Sequence, residues 1–466
     1  MSDRGHRTAP ATNIVQRASA LADRLDGGRV VGVLGPGAWS VLKVIAIGAA
    51  TPVLWPAVGL LAARNNAIVR RRHPAHAASL AAAANGAVHA PSFAAIGHLR
   101  GDRPVVVTSD LHRVPAGPHD WPRRQGTGAI YEVMLDHYAA EAWHLVENGD
   151  VEDFWMVGGS AWGWCYDVLR LCSTVLPRRL RTGLRRALVT EHLDRTVANN
   201  SGIYDRINSG FHLHGRYHRV IGNHDDAYAD PLVVDHLGLH HPGLEVHDAL
   251  VVRAPSSPPV VITHGHHTDA WNAPDLAFLG RLGTWLAATI GDVPLLAVEP
   301  GLPTADATTG LLGGRQRNAL TVVGRVFGAS RDLYSMDEEL LFAAVRRQFP
   351  EGTTNEPFVV LGHTHLPLSA PTTGDREHTW SRYLNAGSGV GVGVVTAVEW
   401  QPPTGPDVAA GARLVAWCRA GLVDPEAEVE QLGVDRLGHP IVRVVLSPSP
   451  DGTLVPAGAG TWAASP

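Results

Sequence analysis

Cysteine is nearly absent from this chain. Its 466 residues include three, Cys165, Cys172 and Cys418. An odd number this small excludes a disulfide framework and fits a reducing compartment. None stands in a metal-type Cys spacing, so the three read as buried apolar residues. Lysine is scarcer still: Lys43 is alone against 38 arginines, which we read as genomic bias. There is no excess of positive charge either. The formal net charge is −5, which excludes a broad electrostatic footprint for nucleic acid and leaves only local basic patches. Charged residues make up 18% and hydrophobic ones 45%, a balance that excludes disorder of the whole chain. No cleavable signal pattern opens the sequence, because its first apolar run comes too late. No internal repeat is found.

What is present in quantity is histidine, 25 residues with several in pairs, in a chain long enough for a large core and more than one module. Residues 1–100 read as an N-terminal helical region. Within it, residues 44–63 form a run of twenty without a charge, the minimum length for a bilayer span. Arg64, Arg70, Arg71 and Arg72 follow. If the run enters a membrane, this basic flank puts the downstream chain in the cytoplasm. The run is also rich in Ala and Gly, and Pro52 and Pro56 would kink a helix. A buried soluble helix pair and a kinked helix dipping into one leaflet are therefore alternatives. The expected location is cytoplasmic, with membrane association through residues 44–63 as an open option.

Five short apolar strands then each run into Asp, Asn or His. Pro104-Val105-Val106-Val107 leads to Ser109-Asp110-Leu111-His112, and residues two apart on a strand face the same side. Residues 143–148 lead to Gly149-Asp150-Val151-Glu152-Asp153. Residues 217–221, with a basic interruption at Arg219, lead to Gly222-Asn223-His224-Asp225. Pro259-Val260-Val261-Ile262-Thr263 leads to His264-Gly265-His266-His267-Thr268-Asp269. Phe358-Val359-Val360-Leu361 leads to Gly362-His363-Thr364-His365. Between the strands, residues 128–142 and 165–198 have helical character. The arginines at 178, 179, 181, 185 and 186 read as a solvated face, or as a surface for anionic lipid or phosphate. Residues 270–355 look like an inserted helical region, with helices near 275–290 and 335–348. Residues 383–398 suggest closing strands. A Pro-Pro-Thr-Gly-Pro stretch opens a C-terminal extension over 401–466.

Open α/β sheets bind ligands at the carboxyl ends of their strands. Oxygen and imidazole ligands without thiolate suit divalent manganese, iron or zinc. A carboxylate such as Asp150 can bridge two cations about 3.5–4 Å apart, the separation used by two-metal hydrolases.

Taken in order, Asp110-x-His112, Gly149-Asp150-x-x-Asp153, Gly222-Asn223-His224-Asp225, His264-Gly265 and Gly362-His363-x-His365 resemble the calcineurin-like metallophosphoesterase superfamily. The resemblance covers residues 101–400. It implies an α/β fold, a two-sheet sandwich flanked by helices, and two divalent metal ions, with manganese expected first. By it, Asp110, His112, Asp150 and His365 would hold one ion. Asp150, Asn223, His264 and His363 would hold the other. His224 would be the acid at the leaving group, Asp225 would orient it, and Asp153 would support the site from behind. The stretch from His264 to Asn272 is also similar to bacterial UDP-diacylglucosamine pyrophosphatases, which carry Arg where this chain has His224. The implied activity is hydrolysis of a phosphate ester or pyrophosphate bond in a phosphorylated small molecule or lipid. Two other readings compete. A non-catalytic binding scaffold on the same fold predicts substitutions among the ligands, and none is seen. A nuclease predicts a basic groove, for which only residues 165–219 offer material.

Overall fold

The computed structural model describes residues 9–27, 35–157, 160–255, 257–291, 341, 344–349, 356–365, 367–369, 382–390, 393–403, 411–422, 429–448, 454–456 and 463–464. The chain opens with two helices, α1 (Ala9–Gly27) and α2 (Gly35–Ala84), and then enters strands β1 (Ile96–Arg100) and β2 (Val105–Thr108). Helices α3 (Trp121–Arg124) and α4 (Thr127–Ala140) precede β3 (His144–Asn148). Three more helices follow: α5 (Ala161–Ser173), α6 (Arg178–Asn199) and α7 (Ser201–Gly210). Then come β4 (Tyr217–Val220), α8 (Pro231–Leu237), β5 (Val246–His247), β6 (Ala249–Arg253), β7 (Val260–Ile262) and α9 (Phe278–Gly291). The last strands are β8 (Phe358–Leu361), β9 (Leu368–Ser369), β10 (Tyr383–Asn385), β11 (Val394–Gln401), β12 (Gly411–Arg419), β13 (Glu430–Val434), β14 (Pro440–Pro448), β15 (Leu454–Pro456) and β16 (Ala463–Ala464). Of the helix expected near 335–348, only residues 341 and 344–348 are described.

These strands make two mixed sheets flanked by helices. The first runs β1-β6-β7-β8-β10-β9, and the second β13-β14-β12-β11-β2-β3-β4-β5 with β15 on β14 and β16 on β12. Alternation along each strand explains the layering. Val105 and Val107 of β2 join Val260 and Ile262 of β7 and Phe358 and Val360 of β8 in one shared core. The opposite faces meet helices. Val106 and Leu145 pack with Met134, Leu135 and Tyr138 of α4 and Ile203 and Ile207 of α7. Val251, Val261 and Val359 pack with Ala77, Leu80, Ala83 and Ala84 of α2. Each such apolar side chain contributes about 1.5–3 kcal/mol when fully buried, so the strands that carry the site are anchored on both faces. The tail is no appendage at its start: β12 pairs with β11 over eight residues, continuing the second sheet.

The helices are sequence-encoded in familiar ways. In α6, Leu184, Leu188, His192 and Thr196 are buried at four-residue spacing. Ser160 caps α5 by accepting the Gly163 N–H at 2.9 Å. Asp230 caps α8, with Pro231 at the first helical position.

The uncharged run at 44–63 is corrected here. It lies inside α2, a 50-residue helix that continues through Pro52 and Pro56 and measures about 75 Å. Among the described residues, no helix is long and apolar enough to cross a membrane. Both ends of the run are also tied to the globular body. Lys43 is buried and paired with Asp167 of α5 at 2.9 Å. Asn65 donates to the Ala270 carbonyl at 2.9 Å, and Arg72 pairs with Asp275. A span would have to put those ends on opposite sides of about 30 Å of hydrocarbon.

Candidate metal centre

The five sequence stretches meet at one place. β2, β3 and β4 run parallel, so Asp110 and His112, then Asp150 and Asp153, then Asn223 and His224 leave the same edge of the second sheet. β7 and β8 are parallel in the first sheet and deliver His264, His363 and His365. Backbone bonds lock the loops together. His112 N–H donates to the Asp150 carbonyl at 2.8 Å, and Gly362 N–H to the His264 carbonyl at 3.1 Å. Asp110 Oδ2 ties the two sheets by accepting the His363 N–H at 2.9 Å, and within the second sheet Asp150 Oδ1 accepts the His224 N–H at 2.7 Å.

Local backbone geometry is unusual here. Six described residues other than glycine have positive φ, and five of them are Asp110, His112, Asp150, His363 and His365. Such conformations are uncommon outside glycine and concentrate where function demands them. Close approach explains two of the glycines. A Cβ on Gly222 would stand 2.1 Å from Asp150 Oδ1, and one on Gly362 would stand 1.9 Å from Ser109 Oγ.

The imidazoles are presented with one nitrogen committed and the other turned inward. His112 holds Asp153 Oδ2 through Nδ1 at 2.9 Å. Its Nε2 lies 3.1 Å from Nε2 of His365, which is 3.2 Å from Asp110 Oδ1. His264 places Nδ1 2.8 Å from the Asn148 carbonyl and Nε2 near Asn223 Oδ1 at 3.2 Å and Asp150 Oδ2 at 3.3 Å. His363 turns Nε2 to Asp269 Oδ2 at 2.7 Å. Its Nδ1 is buried with no hydrogen-bond partner, and so is Asp110 Oδ1. Fixing a ligand's second nitrogen with a carboxylate or carbonyl is how metal-binding histidines are oriented. The buried groups Asp110, His112 and His365, and Asp150, His264 and His363, each bring three ligand atoms within 4.8 Å of one another and can hold a metal ion. Asp150 Oδ2 stands between the two groups, 3.8 Å from His112 Nε2 and 3.3 Å from His264 Nε2.

Electrostatics favour cations in this place. Burial opposes ionisation of Asp110, yet His264 and His365 outweigh it and hold the carboxyl at about 2. Burial likewise opposes charge on His264, but Asp150 and Asp110 raise its pKa to about 10. His224 is raised to about 9 against its own burial by Asp153 and Asp150. Asp225 is pushed up to about 7, by burial first and then by Asp150. Several buried carboxylates thus compete for too little positive charge.

His224 and Asp225 lie where the sequence put them, but their partnership differs. Asp225 accepts the Gly222 N–H at 2.5 Å and the Val151 N–H at 3.1 Å, so it braces the two loops. The carboxylate beside His224 is Asp153, whose Oδ1 is 2.8 Å from His224 Nδ1 while its Oδ2 holds His112. The reason is geometric: both oxygens of Asp225 are taken by backbone amides.

Sequence reasoning did not single out Asp269, Trp155 or Arg281. Trp155 packs against His224 with ring centroids 4.6 Å apart and a 30° tilt between the rings, and the Arg281 guanidinium lies 4.8 Å over Trp155. Arg281 also pairs with Asp226, which accepts the Trp155 Nε1–H at 3.2 Å. Arg281, Arg170 and Arg181 all stand near enough to Arg185 to depress its pKa, after its own burial. Beneath the loops lies a buried network in which Arg113 meets Glu147 and Arg219 meets Glu152, surrounded by Tyr131, Tyr204, Tyr217 and Tyr228. The signal was there: Arg219 and Glu147 sit inside short apolar strands, where a buried charge needs a partner. Asp269 stood at the end of the histidine-rich stretch already noted. Compared with known protein families and with curated proteins, the chain matches none.

Proposed function

We propose that this protein is a metal-dependent phosphoesterase of the calcineurin-like kind, hydrolysing a phosphate ester or pyrophosphate bond. One observation carries the reading: seven ligands from two sheets converge, with the outward nitrogens of His112, His264 and His363 fixed by Asp153, Asn148 and Asp269. Asp110, His112, Asp150 and His365 would hold one divalent ion, and Asp150, Asn223, His264 and His363 a second, with Mn, Fe or Zn all suited to these donors. Ions held there would polarise a phosphoryl oxygen and lower the pKa of a bound water. The chain's own residues do the rest. Asp153 and Trp155 fix the ring of His224, which gives its proton to the departing oxygen. Arg281 over Trp155, with Arg170 and Arg181 near Arg185, would supply positive charge for an anionic phosphorylated molecule or lipid headgroup. A binding scaffold would tolerate loss of ligands, and all seven are present.

The test is a manganese-supplemented screen of the full-length protein against a phosphomonoester, a phosphodiester, nucleotide-sugar pyrophosphates and lipid phosphates. We expect turnover in at least one class, abolished by EDTA and restored by Mn2+. Metal-loaded protein that turns over none of them overturns the proposal.

A further inference from the structure

A second cluster of ligating atoms lies apart from the centre and shares no residue with it. His236 occupies the last turn of α8, and His240 follows four residues on. Backbone bonds from Gly238 N–H to Val234 and from His240 N–H to Leu237 keep the chain curled there, so both imidazoles face α6. From α6, Asp194 meets them. His236 Nε2 and His240 Nε2 each lie 2.9 Å from one and the same oxygen, Asp194 Oδ1. The rings are nearly perpendicular, with centroids 6.2 Å apart.

We propose that Asp194, His236 and His240 form a further metal site for a single borderline d-block cation such as Zn2+. Two imidazole nitrogens and a carboxylate oxygen are a common donor set for that ion, with a fourth position open to water. Ligands about 2.0–2.1 Å from a tetrahedral ion stand about 3.3 Å from one another, and the two nitrogen-to-oxygen separations here need to widen only slightly to reach that. A purely structural reading has two imidazole N–H groups sharing one acceptor oxygen. A carboxylate oxygen can accept both, so the two readings are told apart by whether the cluster takes up an ion. The side chains are partly exposed, at 46% for Asp194 and 23% for each histidine, which gives an ion an entry path.

Such an ion would staple α8 to α6. The start of α8 is already held to α6 by Arg186 and Asp230 at 2.7 Å. α8 follows the loop that carries Asn223, His224 and Asp225, so the staple would lie at that loop's distal anchor.

The inference does not depend on the phosphoesterase reading, and its test does not use activity. Zn2+ bound to the full-length protein is counted after equilibrium dialysis, for wild type and for the double variant His236→Ala, His240→Ala. We expect the double variant to bind one ion fewer, and to lose the part of the zinc-induced rise in Tm that this ion supplies. The single variant Asp194→Asn, which keeps the shape and both histidines, guards against a folding defect and should bind the ion more weakly. Equal zinc stoichiometry and equal Tm shifts in wild type and variants overturn the proposal.

Discussion

Asp150→Asn should lower kcat/KM by about three orders of magnitude and remove metal from the protein. The effect is large because of where this carboxylate stands. Its Oδ2 lies between His112 Nε2 and His264 Nε2, in reach of both ligand groups. Asparagine keeps an oxygen that can accept the His224 N–H, now made at 2.7 Å, so the loop retains its brace. What it loses is the negative charge at a point where two cations would otherwise repel each other. Charge stabilisation of the reacting phosphoryl group by bound metal is a matter of several kcal/mol, and each 1.4 kcal/mol is about a factor of ten in rate. Elemental analysis of the purified variant, beside circular dichroism to confirm its fold, is the measurement. A variant that keeps its full metal content takes the bridging role away from Asp150.

The second large effect belongs to His224. Asp153 and Asp150 outweigh burial and raise its imidazole to about 9, which favours the protonated form that an acid needs. The ring is clamped between the edge of His112, 4.7 Å away, and the face of Trp155. An alkoxide leaving group needs a proton as it departs, whereas a nitrophenolate leaves without one. General acid help is typically about 10²–10⁴-fold. His224→Ala should therefore cost a factor in that range on an alkyl phosphate ester and far less on a nitrophenyl ester, with metal content unchanged. If the histidine only fills space against Trp155, both substrates will slow by a similar factor. Parallel losses, or loss of metal, remove it from the acid role.

Much of this site could be read from the residues because it is built from strand ends. A short β-branched run announces itself by composition, and a ligand at its carboxyl end needs no knowledge of the neighbours. Asp110, His112, Asp150, Asn223, His264, His363 and His365 were legible in that way. The partner of His224 was not. Asp225 is adjacent in sequence and Asp153 is seventy residues away, yet backbone amides occupy both oxygens of the former. Who bonds to whom depends on tertiary geometry, which spacing does not carry. The same holds for Asp269 behind His363 and for Arg281 over Trp155, both set by loops and helices of the second half. The run at 44–63 left alternatives open for a different reason. Hydropathy records what a segment lacks and says nothing of what its flanking residues bind, here Lys43 to Asp167 and Asn65 to the Ala270 carbonyl.

The left-handed backbone at five ligand positions bears on how this chain tolerates sequence drift. Each such conformation costs a side-chain-bearing residue roughly 1–2 kcal/mol that glycine would be spared. Together they consume a sum comparable to the whole margin of a typical domain, about 5–15 kcal/mol. The protein therefore carries these aspartates and histidines against its own thermodynamic interest, and a lineage released from the need for them would gain robustness by trading them for glycine. Alanine scanning would miss this, because alanine deletes the ligand and keeps the strain. His365, at φ 58° and partly exposed, is the cleanest place to see it. In thermal denaturation without added metal, His365→Gly should be the more stable of the two truncations by about 1 kcal/mol, and equal stabilities would mean that the backbone there relaxes once the imidazole is gone.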